Sequence, residues 1–214
     1  MKEKKTWLYA FAKVVAPVIF GLPIGHTVVK GKNNIPEEGR FIVCSNHISM
    51  ADPIVLALAQ KRQIHFMAKQ ELFNNPFVSW VVRSLGAFPI KRGASDTTSI
   101  NQAFDILEKE RVLGIFPEGT RSKDGELLKP KAGAALIAFK EQAPVIPAAI
   151  YAKDHKIGLF RKVYVAFGEP MTMEELGMTT GNAKELRDAS RNIMNEIAKL
   201  RQECIDFAQG REKK

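Results

Sequence analysis

The 214-residue sequence contains little cysteine, few aromatic residues and no recognisable metal-ligand spacing. The two cysteines, Cys44 and Cys204, form no CxxC pair, so they imply neither a disulfide framework nor zinc and fit a reducing compartment. His26, His65 and His155 are dispersed along the chain, and we predict no metal site. Aromatic residues make up only 8% of the chain and no nucleic-acid motif is present, so we expect no nucleic-acid partner.

The sequence also has no Gly-x-Ser-x-Gly elbow, no internal repeat and no low-complexity tract. The missing elbow disfavours a serine hydrolase. With 45% hydrophobic and 26% charged residues, the composition is that of an ordinary globular protein with one sizeable core. A formal net charge of +9 indicates an anionic partner: nucleic acid, a membrane surface or a phosphorylated small molecule. Composition alone does not choose among these partners.

The amino-terminal segment has an apolar run over residues 7–24 that follows a basic start. Lys13 interrupts this run, and Pro17, Gly21 and Pro23 prevent a straight helix. A transmembrane anchor, a secretory signal and a core helix docked on the domain are alternatives. We favour an apolar hairpin that lies in the membrane interface, with aromatics at headgroup depth.

Short apolar runs typical of buried strands alternate with segments typical of helices along the rest of the chain. This alternation predicts an α/β fold: a single domain with a mostly parallel central sheet flanked by helices, preceded by the N-terminal apolar helical hairpin. Four polar side chains directly follow predicted strands: His47, Lys69, Arg92 and Arg121. Ligands of open α/β sheets bind at the carboxyl ends of strands, so these four residues mark a predicted binding edge.

Residues 45–53 form a predicted turn between an apolar strand and a helix that begins at Pro53. Asp52 is a candidate N-cap of that helix. His47 precedes Asp52 by five residues, and a turn can bring the carboxylate onto the imidazole. Such a contact would fix the ring tautomer and stabilise an imidazolium, as a general base requires. A helix cap beside an unrelated polar loop residue fits the same spacing.

Four ordered blocks of the sequence together resemble the glycerolipid acyltransferase family, and within it the 1-acyl-glycerol-3-phosphate acyltransferases. The blocks are Asn46-His47-x4-Asp52, Gly86-Ala87-Phe88-Pro89-Ile90-Lys91-Arg92, Phe116-Pro117-Glu118-Gly119-Thr120-Arg121-Ser122 and Val145-Ile146-Pro147-Ala148-Ala149-Ile150. The first and third blocks are the specific ones. Pro89 is a mild departure within the second block and suggests an edge strand or a bulge.

The resemblance implies acyl transfer from acyl-coenzyme A or acyl-carrier protein to the sn-2 hydroxyl of 1-acyl-glycerol-3-phosphate (lysophosphatidic acid), giving phosphatidic acid without a further cofactor. By this resemblance His47 is the general base and Asp52 orients it. Backbone amides near the turn would stabilise the oxyanion. The implied substrate-binding residues are Lys69, Arg92, Glu118, Gly119, Thr120 and Arg121. The two arginines would bind phosphate, and Glu118 would accept from a glycerol hydroxyl or hold an arginine.

The resemblance also implies an enzyme that works at a membrane. We expect residues 1–24 to associate with the membrane and residues 25–214 to form the catalytic domain. The attachment would be monotopic or peripheral, at the anionic cytoplasmic face of the cell membrane. Acylation of glycerol-3-phosphate or of another lysophospholipid is an alternative, as is a basic lipid-binding protein without turnover.

Overall fold

The computed structural model describes residues 9, 27–90, 97–158 and 161–211. Apart from Tyr9, the predicted N-terminal hairpin lies outside these residues, and so does Arg92. Tyr9 is buried and its hydroxyl donates to the carbonyl of Arg62 at 3.2 Å. No helix within the described ranges is long and apolar enough to cross a membrane.

Within the described ranges, seven strands form one central sheet. They are β1 (Thr27–Lys30), β2 (Phe41–Ser45), β3 (Ile64–Lys69), β4 (Phe88–Ile90), β5 (Val112–Ile115), β6 (Val145–Ala152) and β7 (Val163–Phe167). Their order across the sheet is β1-β7-β6-β2-β5-β3-β4, and only the β6–β7 pair is antiparallel. The predicted α/β domain with a mostly parallel sheet flanked by helices is therefore confirmed.

Five α-helices connect and cover these strands in the described part of the chain. They are α1 (Asp52–Ala59), α2 (Pro76–Ser84), α3 (Thr97–Glu108), α4 (Gly133–Glu141) and α5 (Ala183–Ala208). Residues of α1 pack on one face of the sheet, whereas α3, α4 and α5 pack on the other. Between α1 and α2 there is a smaller apolar cluster of Ile54, Val81 and Leu85.

Strand β2 shows why its sequence is continuously apolar. Phe41 and Val43 pack toward α1, while Ile42 and Cys44 pack toward α3, α4 and α5. Successive side chains of a strand point to opposite faces, and both faces are covered here. Every residue of β2 is consequently buried, and the carboxyl end of the strand is held rigidly in the middle of the sheet.

Proline and asparagine residues fix the edge of the sheet and the start of α2. Asn75 caps α2 by accepting hydrogen bonds from the amides of Phe77 and Val78, and Pro76 follows it as the first helical residue. Pro89 lies in β4, the last strand of the sheet, where the lack of an amide proton is tolerated. This position agrees with the edge strand that the sequence suggested.

Candidate active site

The turn between β2 and α1, residues 46–51, is anchored to the neighbouring strand β6 by Asn46. The side-chain amide of Asn46 donates to the carbonyl of Ile150 at 3.0 Å, and the amide of Ile150 donates back to Asn46 Oδ1 at 2.8 Å. Asn46 is fully buried, and these two bonds satisfy both polar groups of its side chain. Asn46 begins the first sequence block, and the structure shows that it fixes the chain directly before His47.

Asp52 lies against His47 in this turn. His47 Nδ1 and Asp52 Oδ2 are 2.7 Å apart, and the same oxygen accepts from the amides of Ile48 and Ser49 at 2.7 and 2.8 Å. The Asp52 side chain is fully buried and that of His47 is 15% exposed. With Asp52 ionised, Nδ1 carries the proton, which leaves Nε2 as the nitrogen that can accept one.

Asp52 is not the N-cap that the sequence predicted. It is the first residue of α1, and Ala51, which precedes it at the cap position, makes no side-chain hydrogen bond to the helix. The carboxylate instead turns back to the two amides and the imidazole that precede the helix. Its Oδ1 atom is buried and has no hydrogen-bond partner among the described residues. Burial raises the pKa of Asp52 above its ordinary value, and the donors from His47, Ser49 and Ile48 oppose that rise.

The imidazole of His47 is held from its face as well as from its edge. Its ring stacks on that of Phe116 with centroids 4.0 Å apart and an interplanar angle of 15°. Phe116 in turn stacks on Phe66, with centroids 5.6 Å apart. A close fit explains why β5 carries Gly114, because a Cβ at that position would overlap the Phe66 ring. The stack and the Asp52 contact together fix one orientation of the ring.

The loop after β5, residues 116–122, wraps around the His47 turn. Glu118 Oε1 accepts from the amide of His47 at 3.0 Å, and the amide of Ser122 donates to the carbonyl of His47 at 2.8 Å. Glu118 Oε2 accepts from the amide of Leu128 at 3.1 Å. Glu118 is only 3% exposed, and burial raises its pKa against the effect of the two amides. The carboxylate therefore connects three segments of backbone at the site.

Three other predicted site residues of this loop are exposed: Gly119, Thr120 and Arg121. Gly119 has a φ of +71°, and a Cβ there would lie 2.9 Å from Lys131 Cε. Only glycine adopts this conformation readily and leaves room for the lysine. Lys131 is drawn to the loop because its amide donates to the carbonyl of Pro117 at 2.9 Å. Lys131 lies outside the four sequence blocks, and no motif marks it.

Lys69 ends β3 and is exposed. Strands β2, β3, β4 and β5 are parallel, so their carboxyl ends lie at one edge of the sheet. The structure thus brings His47, Lys69 and Arg121 to the edge that the sequence predicted. It does not describe Arg92, which lies two residues beyond the end of β4.

No group of three or more His, Cys, Asp or Glu side chains in the described residues could hold a metal ion. The site instead combines a buried carboxylate, an oriented imidazole and exposed cations. A carboxylate–imidazole pair without a strong nucleophile beside it can remove a proton from a bound hydroxyl. Ser49, the hydroxyl nearest to the pair in sequence, accepts from the amide of Ala51 at 3.2 Å and acts as a turn cap.

The chain is similar in sequence to known acyltransferases over most of its length. The acyltransferase family model matches residues 26–151, which include all four sequence blocks. A 1-acyl-sn-glycerol-3-phosphate acyltransferase of Bacillus subtilis is 31% identical over 93% of this chain and 99% of its own length. One from Streptococcus pneumoniae is 30% identical over 94% of this chain and 76% of its own length.

A solved structure shares the fold as well as the sequence. The crystal structure of the 1-acyl-sn-glycerophosphate (LPA) acyltransferase PlsC from Thermotoga maritima matches with a TM-score of 0.69 and 30% identity. The match covers 92% of this chain and 79% of that one. The likeness therefore extends well beyond the four blocks.

Proposed function

The chain belongs to the acyltransferase family, and from that membership we propose that it transfers a fatty acyl group from an acyl thioester to the sn-2 hydroxyl of 1-acyl-glycerol-3-phosphate. The product is phosphatidic acid. The donor is acyl-coenzyme A or acyl-carrier protein. The observation that carries the proposal is the 2.7 Å contact between His47 and the buried Asp52 at the carboxyl edge of the sheet.

In the proposed reaction His47 Nε2 takes the proton of the acceptor hydroxyl as its oxygen attacks the thioester carbonyl. Asp52 stabilises the imidazolium that forms. The tetrahedral intermediate then collapses, the carbon–sulfur bond breaks, and the imidazolium returns its proton to the departing thiolate. One ester forms and one thiol is released, with no covalent acyl-enzyme. A positioned general base typically contributes about 10²–10⁴-fold to such a step.

The turn amides that the sequence offered for the oxyanion are already in use. The amides of Ile48 and Ser49 donate to Asp52, and that of His47 donates to Glu118. An amide that donates within the turn is not available to a developing oxyanion without breaking that bond. These amides serve to place the base, and we assign the oxyanion to none of them.

The acceptor phosphate is assigned to the exposed cations at the edge of the sheet. Arg121 directly precedes Ser122, whose amide bonds the carbonyl of His47, so its backbone is tied to the base. Lys69 ends β3, Arg92 follows β4 in the sequence, and Lys131 lies over Gly119. Arginine suits bidentate phosphate binding and lysine adds a point charge. Gly119 adds an exposed backbone segment to this surface, and Thr120 adds an exposed hydroxyl.

Glu118 is assigned a positioning role. Both of its oxygens accept backbone amides, so it is more suited to hold the His47 turn than to bind a glycerol hydroxyl. In Glu118→Gln one amide faces an amide donor instead of an oxygen. We expect the free energy of unfolding to fall by about 1–3 kcal/mol and kcat to fall more than KM rises.

Denaturant unfolding and steady-state kinetics of Glu118→Gln check this expectation, with the exposed Glu174→Gln as the matched control. A higher KM for the acceptor with unchanged kcat and unchanged stability would instead assign Glu118 to substrate binding.

Membrane association is proposed at the cytoplasmic face of the cell membrane, monotopic or peripheral. The apolar run over residues 7–24 and the net charge of +9 support it. Among the residues that the structure describes, three large apolar side chains are also exposed: Met50 at 61%, Phe77 at 57% and Trp80 at 42%. Met50 lies in the His47 turn, and Ala51 packs on the cluster through which α2 contacts α1. These side chains would bring the site to the lipid from which the acceptor comes.

Replacing Phe77 and Trp80 together with serine tests this orientation. Burying such a side chain in an apolar phase is worth about 1.5–3 kcal/mol, so we expect vesicle binding to weaken at least tenfold. The loss should be seen with neutral and with anionic vesicles in a flotation assay, because the change removes no charge. Wild-type flotation by the double variant, with an unchanged melting temperature, would contradict the proposed contact.

The substrate assignment is tested by following thiol release from an acyl thioester. With acyl-coenzyme A or acyl-carrier protein as donor, we expect release to require lysophosphatidate and to yield phosphatidate in the lipid extract. Release without an acceptor would indicate a thioesterase. A preference for glycerol-3-phosphate or another lysophospholipid would overturn the acceptor assignment while leaving acyl transfer intact.

A further inference from the structure

A cavity lies away from the His47 turn. It has a volume of about 500 Å³ and opens where the carboxyl end of β6, the amino end of β7 and the end of α5 meet. Its side chains include Tyr151, Lys153, Arg161, Lys162 and Tyr164. We call it the tyrosine–lysine cleft. The proposed acyl transfer uses none of these residues.

The cleft is on the sheet face opposite to the catalytic imidazole. Ile150 packs in the cluster on the α1 side, to which Phe116 also belongs, and His47 stacks on Phe116. Tyr151 follows Ile150 in the same strand and therefore points to the other face. Tyr164 lies in sequence between two residues of the α1-side cluster, so it also points to the other face. Its ring centroid is 5.9 Å from that of Phe207 in α5. The sheet thus separates the cleft from the proposed active site.

The charge of the cleft is positive. Lys153, Arg161 and Lys162 are all exposed at its surface. The carboxylate of Asp154 lies 3.8 Å from Arg161, a distance at which an exposed pair gains little. One carboxylate against three cations leaves an excess of two positive charges. A cavity that concentrates cations in this way attracts and binds anions.

The backbone directly after Lys153 has an unusual conformation. Asp154 and His155 have φ values of 56° and 54°, in the left-handed region that non-glycine residues seldom adopt. The ring of His155 packs so closely on Gly125 that a Cβ there would overlap it. The Arg161 guanidinium also approaches the carbonyl of Lys153 at 3.5 Å. Such strain persists where surrounding contacts enforce it, and it is often found at binding sites.

We propose that the tyrosine–lysine cleft binds a phosphate group, carried by an anionic phospholipid headgroup or by a free phosphate-bearing solute. The arginine fork and the two lysines supply charge-assisted hydrogen bonds to the phosphate oxygens. The two half-buried tyrosine rings, 6.2 Å apart, form the wall against which the ligand packs. This inference does not depend on the proposed acyl transfer.

Two matched variants of the full chain test the proposal. The cleft variant carries Lys153→Gln, Arg161→Gln and Lys162→Gln. The control variant carries Lys32→Gln, Lys140→Gln and Lys184→Gln, which removes the same charge from exposed residues elsewhere. Inorganic phosphate is titrated at constant ionic strength while the backbone amide resonances of Tyr151 and Tyr164 are followed by NMR. Flotation is measured with phosphatidylcholine vesicles with and without phosphatidylglycerol.

We expect saturable shifts of these resonances in wild type and in the control variant, and affinity at least tenfold weaker in the cleft variant. If anionic-vesicle flotation also falls selectively in the cleft variant, the source is a lipid headgroup. If phosphate affinity falls selectively in the cleft variant while flotation is equal in the two variants, the source is a soluble phosphate. A selective flotation loss without a phosphate shift still assigns a lipid headgroup. The proposal is overturned if neither phosphate affinity nor anionic-vesicle flotation differs between the cleft variant and the control variant. Melting temperatures verify that all proteins are folded, and Lys162→Gln alone serves as a milder variant.

Discussion

Replacing His47 with asparagine is expected to lower kcat by about 10²–10⁴-fold while leaving the fold intact. The asparagine amide can occupy the place of Nδ1 and donate to Asp52 Oδ2, so the buried carboxylate keeps a partner. No atom of asparagine can take the acceptor proton as Nε2 does. The predicted loss therefore measures the base itself, equivalent to about 3–5 kcal/mol of transition-state stabilisation.

The measurement is acceptor-dependent thiol release by purified wild type and His47→Asn at equal donor and acceptor concentrations. His47→Ala is a useful companion, because it removes the base and also leaves Asp52 without its imidazole donor. We expect the alanine variant to be the less stable of the two and equally inactive. If His47→Asn retained more than a tenth of wild-type kcat, the assignment of His47 as general base would be wrong.

The sheet could be predicted closely because its strands are apolar runs bounded by turn residues. The apolar strand predicted before the turn at residues 45–53 corresponds to β2, and the helix predicted to begin at Pro53 is α1, which begins one residue earlier. The direction of β7 could not be predicted. The hydrophobic pattern of a strand is the same whether the strand is parallel or antiparallel to its neighbour. The antiparallel pairing of β6 and β7 depends on the connection between them.

The site was predictable where it depends on residue type and order along the chain, as for His47 and Asp52. It was not predictable where it depends on contacts between distant segments. Glu118 and His47 are 71 residues apart, and a loop glutamate has the same sequence signature whether it faces a ligand or two backbone amides. The position of Lys131 could not be predicted for the same reason. Its backbone hydrogen bond to Pro117 brings it to the loop, and no sequence motif marks such a bond.

The second large expected effect is a fall in kcat of about 10²–10⁴-fold in Asp52→Asn, with the His47 turn preserved. The asparagine oxygen can replace Oδ2 and accept from His47, Ile48 and Ser49. Its amide then takes the place of Oδ1, the atom that has no partner among the described residues. What the substitution removes is the negative charge that stabilises the imidazolium. Asp105→Asn, an exposed carboxylate on α3, is the matched control and should retain wild-type kcat.

Stability across pH separates this loss of charge from a loss of structure. Burial raises the pKa of Asp52 in the folded protein, so the folded state binds more protons than the unfolded state as pH rises from about 4. The contribution of Asp52 to stability therefore decreases with rising pH, and asparagine, which does not titrate, lacks that decrease. We expect the free energy of unfolding of Asp52→Asn, relative to wild type, to improve between pH 4 and pH 7, while kcat stays low throughout. An active variant would show that catalysis does not need the charge of Asp52. A relative stability that worsens over this range would show that the fold lowers the pKa of Asp52 instead of raising it.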